Sequence, residues 1–388
     1  MNFTREFAKI LESRLSNFCP FIQILVGPRQ VGKSTAVKKF LENYTHNSIY
    51  VALDNPGKIG EETIRFHWNE IRKIAGHKIL VFDEIQNVPN WAPVIKELYD
   101  EDRDKRELSV LLLGSSALDL LLRGSESLLG RYEIIRAHHW SQEEHIHAHN
   151  WTSDQFFQFG GYPGISELLK DQSTLERCQL FVRESIIEPI ISKDILSLST
   201  VLNTALFRQV LEISLSLPAE EISFSKMLGQ LNDKGNSATI KGYLELLEKA
   251  FLIKLLYRYS EGKIRMRTTS PKIVPLAPAL IHAYNPANKI FTDPSWFGKI
   301  FEISIIAKFH SQNFDLYYWR SGKYDVDFIA KKNDLLLAFE VKSNSSADWK
   351  GLIAFKQEYP KAQTIFIDRK KGEEILVSND ILATLKLK

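Results

Sequence analysis

The chain has 388 residues, 44% of them hydrophobic, and its 50 Lys and Arg against 47 Asp and Glu leave a net charge of +3. That profile is globular and long enough for two or three domains, and it excludes a disordered chain or a uniformly basic nucleic-acid coat. No apolar run approaches the roughly 20 residues of a membrane span, residues 1–20 lack a signal-peptide core, and Cys19 and Cys178 imply no disulfide framework. The expectation is a cytoplasmic protein with no membrane partner.

In chain order, residues 3–15 carry helical apolar spacing, and Phe21 to Val26 is a short apolar run that predicts a buried strand. Gly27-Pro28-Arg29-Gln30-Val31-Gly32-Lys33-Ser34-Thr35 follows and fills the phosphate-loop pattern G-x-x-x-x-G-K-[ST]. A helix is predicted from Ala36 to Tyr44, so the motif has its strand–loop–helix setting. Loop amides and a helix N-terminus make an anion-binding concavity for ATP. Lys33 supplies a point charge for the β- and γ-phosphates, and the Ser34 hydroxyl is an Mg²⁺ ligand.

A second strand is predicted from Ser48 to Leu53, and Lys78 to Glu84 gives four apolar residues running into two carboxylates. Asp83 at the strand end would hold Mg²⁺, and Glu84 would polarise the attacking water. Leu108 to Leu113 is a further buried strand ending at Gly114-Ser115-Ser116, where a small hydroxyl can sense the γ-phosphate, and Arg131 stands just before the strand Tyr132 to Ile135. Five strands alternating with helices imply a parallel sheet with right-handed crossovers.

These residues resemble the AAA+ ATPases, in which the same features occur in the same order. The resemblance implies Ser115 or Ser116 as sensor. It also implies Arg131, or alternatively Arg123, as an arginine finger offered to a neighbouring subunit, hence a homo-oligomer that can be a ring.

Five histidines lie between His138 and His149, in a stretch that reads as exposed, and their spacing suits no standard metal site. Helices are expected from Ser173 through Leu198, then over Phe207–Leu217, Ser223–Leu231 and Thr239–Phe251, followed by a strand pair over Leu252–Arg258 and Lys263–Arg267. Three helices and a hairpin describe a winged helix. Between Ser225 and Pro275 ten Lys and Arg face four acidic residues. Arg265 and Arg267 are candidate phosphate contacts to double-stranded DNA, with protein docking as the alternative use of the same fold.

In the last hundred residues a helix carrying Glu302 precedes strands over Asp315–Arg320, Asp325–Lys332 and Leu335–Ser343, then a helix and a last strand. A two-residue turn at Asn333-Asp334 sets Asp327 opposite Glu340 and Asp325 opposite Lys342, placing all four on one face. Charges gathered on a face that reads as buried are costly unless they have a use. The order resembles the PD-(D/E)xK nuclease superfamily, although Val326 stands where its proline–aspartate pair is expected. That resemblance implies Asp327 and Glu340 as ligands of a second divalent ion, Mg²⁺ or Mn²⁺, Lys342 as the catalytic lysine, Glu302 as a supporting acid and Asp325 as a further acid.

The reading is an α/β chain with an AAA+ ATPase domain and helical extension over 1–200, a winged-helix-like domain over 201–285 and a nuclease-like domain over 286–388. The whole order is similar to a large prokaryotic family that couples an AAA+ domain to a C-terminal domain of unassigned function. The function expected is Mg²⁺-dependent ATP hydrolysis coupled to DNA binding or remodelling. Its alternatives are an ATP-gated metal-dependent nuclease and an ATP-switched protein-interaction module.

Overall fold

In a computed structural model we describe residues 4–42, 47–54, 59–114, 127–170, 174–196, 201–217, 219–221, 227, 229, 236–260, 270–286, 288–343 and 348–387. Ser115, Ser116, Arg123, Arg265 and Arg267 lie outside the described residues. The chain divides into two units, one of Met1–His138 with Ile190–Ser199 and one of His139–Pro189 with Thr200–Lys388.

The first unit is built on five strands, β1 (Ile22–Val26), β2 (Asn47–Ala52), β3 (Lys78–Asp83), β4 (Leu108–Leu113) and β5 (Tyr132–Arg136), in the order β2-β3-β4-β1-β5. Every pairing is parallel, as the alternation of strands and helices requires. β1 and β3 are buried along their whole length, which explains why they are mostly apolar, with Lys78 and Asp83 at the two ends of β3. The one polar residue in β1, Gln23, is satisfied by the Cys19 thiol, the Phe21 carbonyl and Glu133. Because the strands are parallel, the loop after β1 and the carboxylates after β3 emerge at the same edge of the sheet. One strand, β4, separates them.

The second unit holds seven further strands, β6 (Glu220–Glu221), β7 (Ile253–Arg258), β8 (Lys272–Pro275), β9 (Asp315–Ser321), β10 (Tyr324–Lys332), β11 (Leu335–Val341) and β12 (Gln363–Ile367). They form one mixed sheet in the order β12-β11-β10-β9-β7-β8-β6. The β10–β11 register is the one expected from the Asn333-Asp334 turn: Lys332 faces Leu335 and Phe328 faces Phe339. Asn333 takes the left-handed conformation that such a turn needs, with φ 53°.

One local expectation changes and another falls outside the described residues. The strand expected over 263–267 lies outside the described residues; the described neighbours of β7 are β8 at Lys272–Pro275, antiparallel to it, and β9. β7 pairs in parallel with β9, so this strand belongs to the C-terminal sheet. The histidine stretch is not uniformly exposed, because His145 is 0% exposed and stacks on Trp151 with ring centroids 4.0 Å apart. It accepts a hydrogen bond from the Gly161 amide, which gives it a structural partner.

Candidate nucleotide site

The loop from Gly27 to Gly32 turns tightly into the helix Lys33–Glu42. Gly32 has φ 88° and Gln30 φ 58°, both in the left-handed region. Gly27 is needed for a different reason: a Cβ there would lie 2.2 Å from the Ala137 carbonyl oxygen just beyond β5. Side chains then fix the loop from several directions. Arg5, only 7% exposed, donates from Nη1 to the Val31 carbonyl and from Nη2 to the His138 carbonyl. Lys33 donates from Nζ to the Gly27 and Pro28 carbonyls at 2.9 and 2.7 Å. Arg29 donates from Nε and Nη2 to the two oxygens of Asp194, each at 2.6 Å. Thr35 is the third residue of the helix, within its first turn.

Lys33 is buried, and that burial pushes its ammonium down to about 8, against the pull of Glu84, Asp83 and Asp194. A lysine stripped of water beside three carboxylates is ready to take anionic oxygens as replacement partners.

Asp83 ends β3 and is 6% exposed. The Tyr50 hydroxyl of β2 donates to Asp83 Oδ2 and is also hydrogen-bonded to Ser34. Burial, and then the Asp83 carboxylate, push the Tyr50 phenol well above its ordinary range. One phenol oxygen therefore touches both Ser34 and Asp83, so these two hard oxygen donors converge on one point. That is the donor chemistry Mg²⁺ prefers, and the pair fits it. Glu84 follows with φ 56° and ψ 42°, a left-handed conformation that is unfavourable for a residue with a Cβ. Gln86 donates to its carboxylate, and Asn87 ties the turn to the Leu53 carbonyl at 2.7 Å.

The expected loop residues and the Asp83–Glu84 pair thus meet at one edge of the sheet. Arg131 does not join them. It precedes β5, at the opposite end of the strands, and donates from Nε and Nη2 to Asp100 at 2.7 and 2.8 Å. Across five strand residues at about 3.3 Å each, it is too far to reach its own chain's loop. Arg5, Tyr50, Gln86 and Asp194 were missed by sequence reasoning. None carries a motif signal, and only Tyr50, in a strand beside β3, had a position from which contact was foreseeable.

In the second unit, Asp327, Glu340, Lys342 and Glu302 are brought together as expected. Lys342 Nζ lies 2.6 Å from Glu340 and 3.6 Å from Asp327, and Asp327 accepts from the Val341 amide at 2.8 Å. A bulge in β10 between Val326 and Ile329 re-aims Asp327. Lys272 of β8 is an unforeseen member, donating to Glu302 at 2.5 Å and to the Asp327 carbonyl at 3.1 Å. Burial raises the Glu302 and Glu340 carboxyls above the usual range, with the two lysines opposing it. Asp325 is the outlier, with a side chain 63% exposed and 4.0 Å from Arg320. Among the described residues no group of three or more His, Cys, Asp or Glu is placed to hold a metal ion.

Comparison with known families divides the chain in three. An AAA domain family matches residues 20–146, a domain of unknown function (DUF8612) matches 151–289, and a second (DUF4143) matches 297–386. An uncharacterized protein of Methanocaldococcus jannaschii is 24% identical over 336 residues, covering 79% of this chain and 71% of that protein. An uncharacterized protein of Mycobacterium tuberculosis is 22% identical over 333 residues, covering 84% and 71%. Among solved structures, the Walker-type ATPase of Pyrococcus abyssi superposes with a TM-score of 0.51 at 18% identity, over 73% of this chain and 96% of that one. The match of residues 20–146 to an AAA domain family, the strand order and the loop geometry agree, and the N-terminal part of this chain has the P-loop ATPase fold.

Proposed function

We propose that the protein is an Mg²⁺-dependent ATPase whose turnover is coupled to double-stranded DNA. The observation that carries the ATPase reading is the convergence of Lys33 and Ser34 with Asp83 and Glu84, the phenol of Tyr50 bridging Ser34 and Asp83. Loop amides and Lys33 bind and orient the phosphates, and Glu84 is placed to accept a proton from water. Ser34 and Asp83 would hold Mg²⁺, which supplies neutralisation of phosphate charge. Arg131, out of reach of its own loop, acts as an arginine finger only across a subunit contact, so the reading includes a homo-oligomer. Ser115 or Ser116 is the sensor in the same reading.

Coupling to DNA is supported by the helices Thr204–Ser216 and Ser237–Lys249 with β6, β7 and β8, an order compatible with a winged helix. It is also supported by the surplus of basic residues between Ser225 and Pro275, Arg265 and Arg267 among them. ATP turnover with and without duplex DNA at low salt, with Lys33→Ala as background, tests the coupling. Stimulation by duplex is the expected result; a rate indifferent to duplex would transfer the reading to a protein partner.

The Asp327, Glu340 and Lys342 cluster, with Glu302 behind it, favours a second reading: a metal-dependent nuclease under ATP control. Asp327 and Glu340 are hard oxygen donors of the kind Mg²⁺ or Mn²⁺ takes, and each would exchange its contact with Lys342 for the ion. Mn²⁺-dependent cleavage that disappears in Glu340→Ala is the expected result, and cleavage that survives the substitution contradicts it.

A further inference from the structure

The Arg29–Asp194 pair joins the phosphate loop to a distant part of the chain. Both guanidinium contacts are 2.6 Å, and Asp194 is 4% exposed, so removing either partner leaves a charge in poor solvent. Two observations separate this pair from an ordinary buried bridge. First, Arg29 stands inside the loop whose amides are arranged for a polyphosphate, within electrostatic reach of Lys33 and Glu84. Burial works against its charge, and Asp194, with help from Glu84, more than restores it. Second, Asp194 lies on a return segment. The chain leaves the first unit after His138 and re-enters it at Ile190. Ile190–Ile195 is wound as π-helix, as is Val182–Ile187 before it, with Pro189 between them unable to donate a backbone hydrogen bond.

We propose that Arg29 and Asp194 form a triphosphate-responsive ion pair. Asp194 is a positioning residue that holds the guanidinium at the loop, and the terminal phosphate of a bound nucleoside triphosphate competes with Asp194 for it. A diphosphate lacks that competing group. Triphosphate and diphosphate therefore act differently on the return segment, and by linkage any partner that stabilises the segment's paired state weakens triphosphate binding by the same factor. The inference rests on the ATPase reading.

Hydrogen exchange on the full-length protein tests it, with ADP and with a non-hydrolysable ATP analogue. Amides of residues 190–196 are expected to exchange at least about fivefold faster with the analogue than with ADP. The double variant Arg29→Gln/Asp194→Asn, which keeps a neutral contact, is expected to erase the difference between the two nucleotides when each is present at a concentration that saturates the variant. Asp194→Asn alone is expected to favour the analogue over ADP by about fivefold or more, because the guanidinium has lost its competitor. Equal exchange in both nucleotide states, with binding intact in the unaltered protein and lost in Lys33→Ala, overturns this inference and leaves the ATPase reading standing. Failure of the unaltered protein to bind either nucleotide overturns both.

Discussion

Lys33 is the residue in which the physics of the nucleotide site is most concentrated. Burial lowers its ammonium to about 8 from an ordinary 10.5, and the surrounding carboxylates only partly oppose this. Phosphate oxygens arriving at Nζ favour the charged form and draw the proton back. Nucleotide binding near pH 9 is therefore expected to take up part of a proton, and affinity to fall as pH rises above about 8. Calorimetry in buffers of different ionisation heat reads this directly; uptake that is zero at pH 9 would contradict it. The motif made Lys33, Ser34, Asp83 and Glu84 legible from sequence because each sits at a fixed offset from a strand. Arg5 and Asp194 were not legible, because their contacts depend on how distant segments pack, and Tyr50 was foreseeable only from its place in the strand beside β3.

At the level of elements, the β10–β11 hairpin was readable and sheet membership was not. Asn333-Asp334 defines the β10–β11 register because a two-residue turn leaves no freedom in the pairing. Nothing local says that β7 pairs with β9, since both strands read as apolar alternation in isolation. The bulge that re-aims Asp327 was equally hidden. It is held from one side by the helix Lys350–Glu358, whose Gly351 lies so close that an added Cβ would meet the Asp325 carbonyl oxygen at 1.8 Å. Backbone cannot yield as a flexible side chain does, so Gly351→Ala is expected to cost about 3 kcal/mol and to displace β10. Urea unfolding of the two proteins measures it. An unchanged midpoint would mean that the helix does not define the position of β10.

At the scale of the molecule, the chain is two units threaded by a segment that returns to the first near Ile190. Sequence reading placed the ATPase domain and its extension over 1–200 by composition and motif order, but the return of one short stretch leaves no compositional trace. The AAA domain family match over 20–146 agrees with the parallel sheet and the loop. The two regions beyond it match families of unknown function, so their proposed roles rest on the side-chain clusters and the basic stretch described above.

In the proposed function, Glu84 drives hydrolysis at a site that Lys33 helps to hold. It is tested most directly by comparing ATP binding and single-turnover hydrolysis in the unaltered protein, Glu84→Gln and Lys33→Ala. Glu84→Gln is expected to bind ATP as the unaltered protein does and to hydrolyse it at least about 100-fold more slowly, the scale of general-base catalysis, while Lys33→Ala loses binding. Hydrolysis by Glu84→Gln at the unaltered rate would mean that Glu84 is not the base.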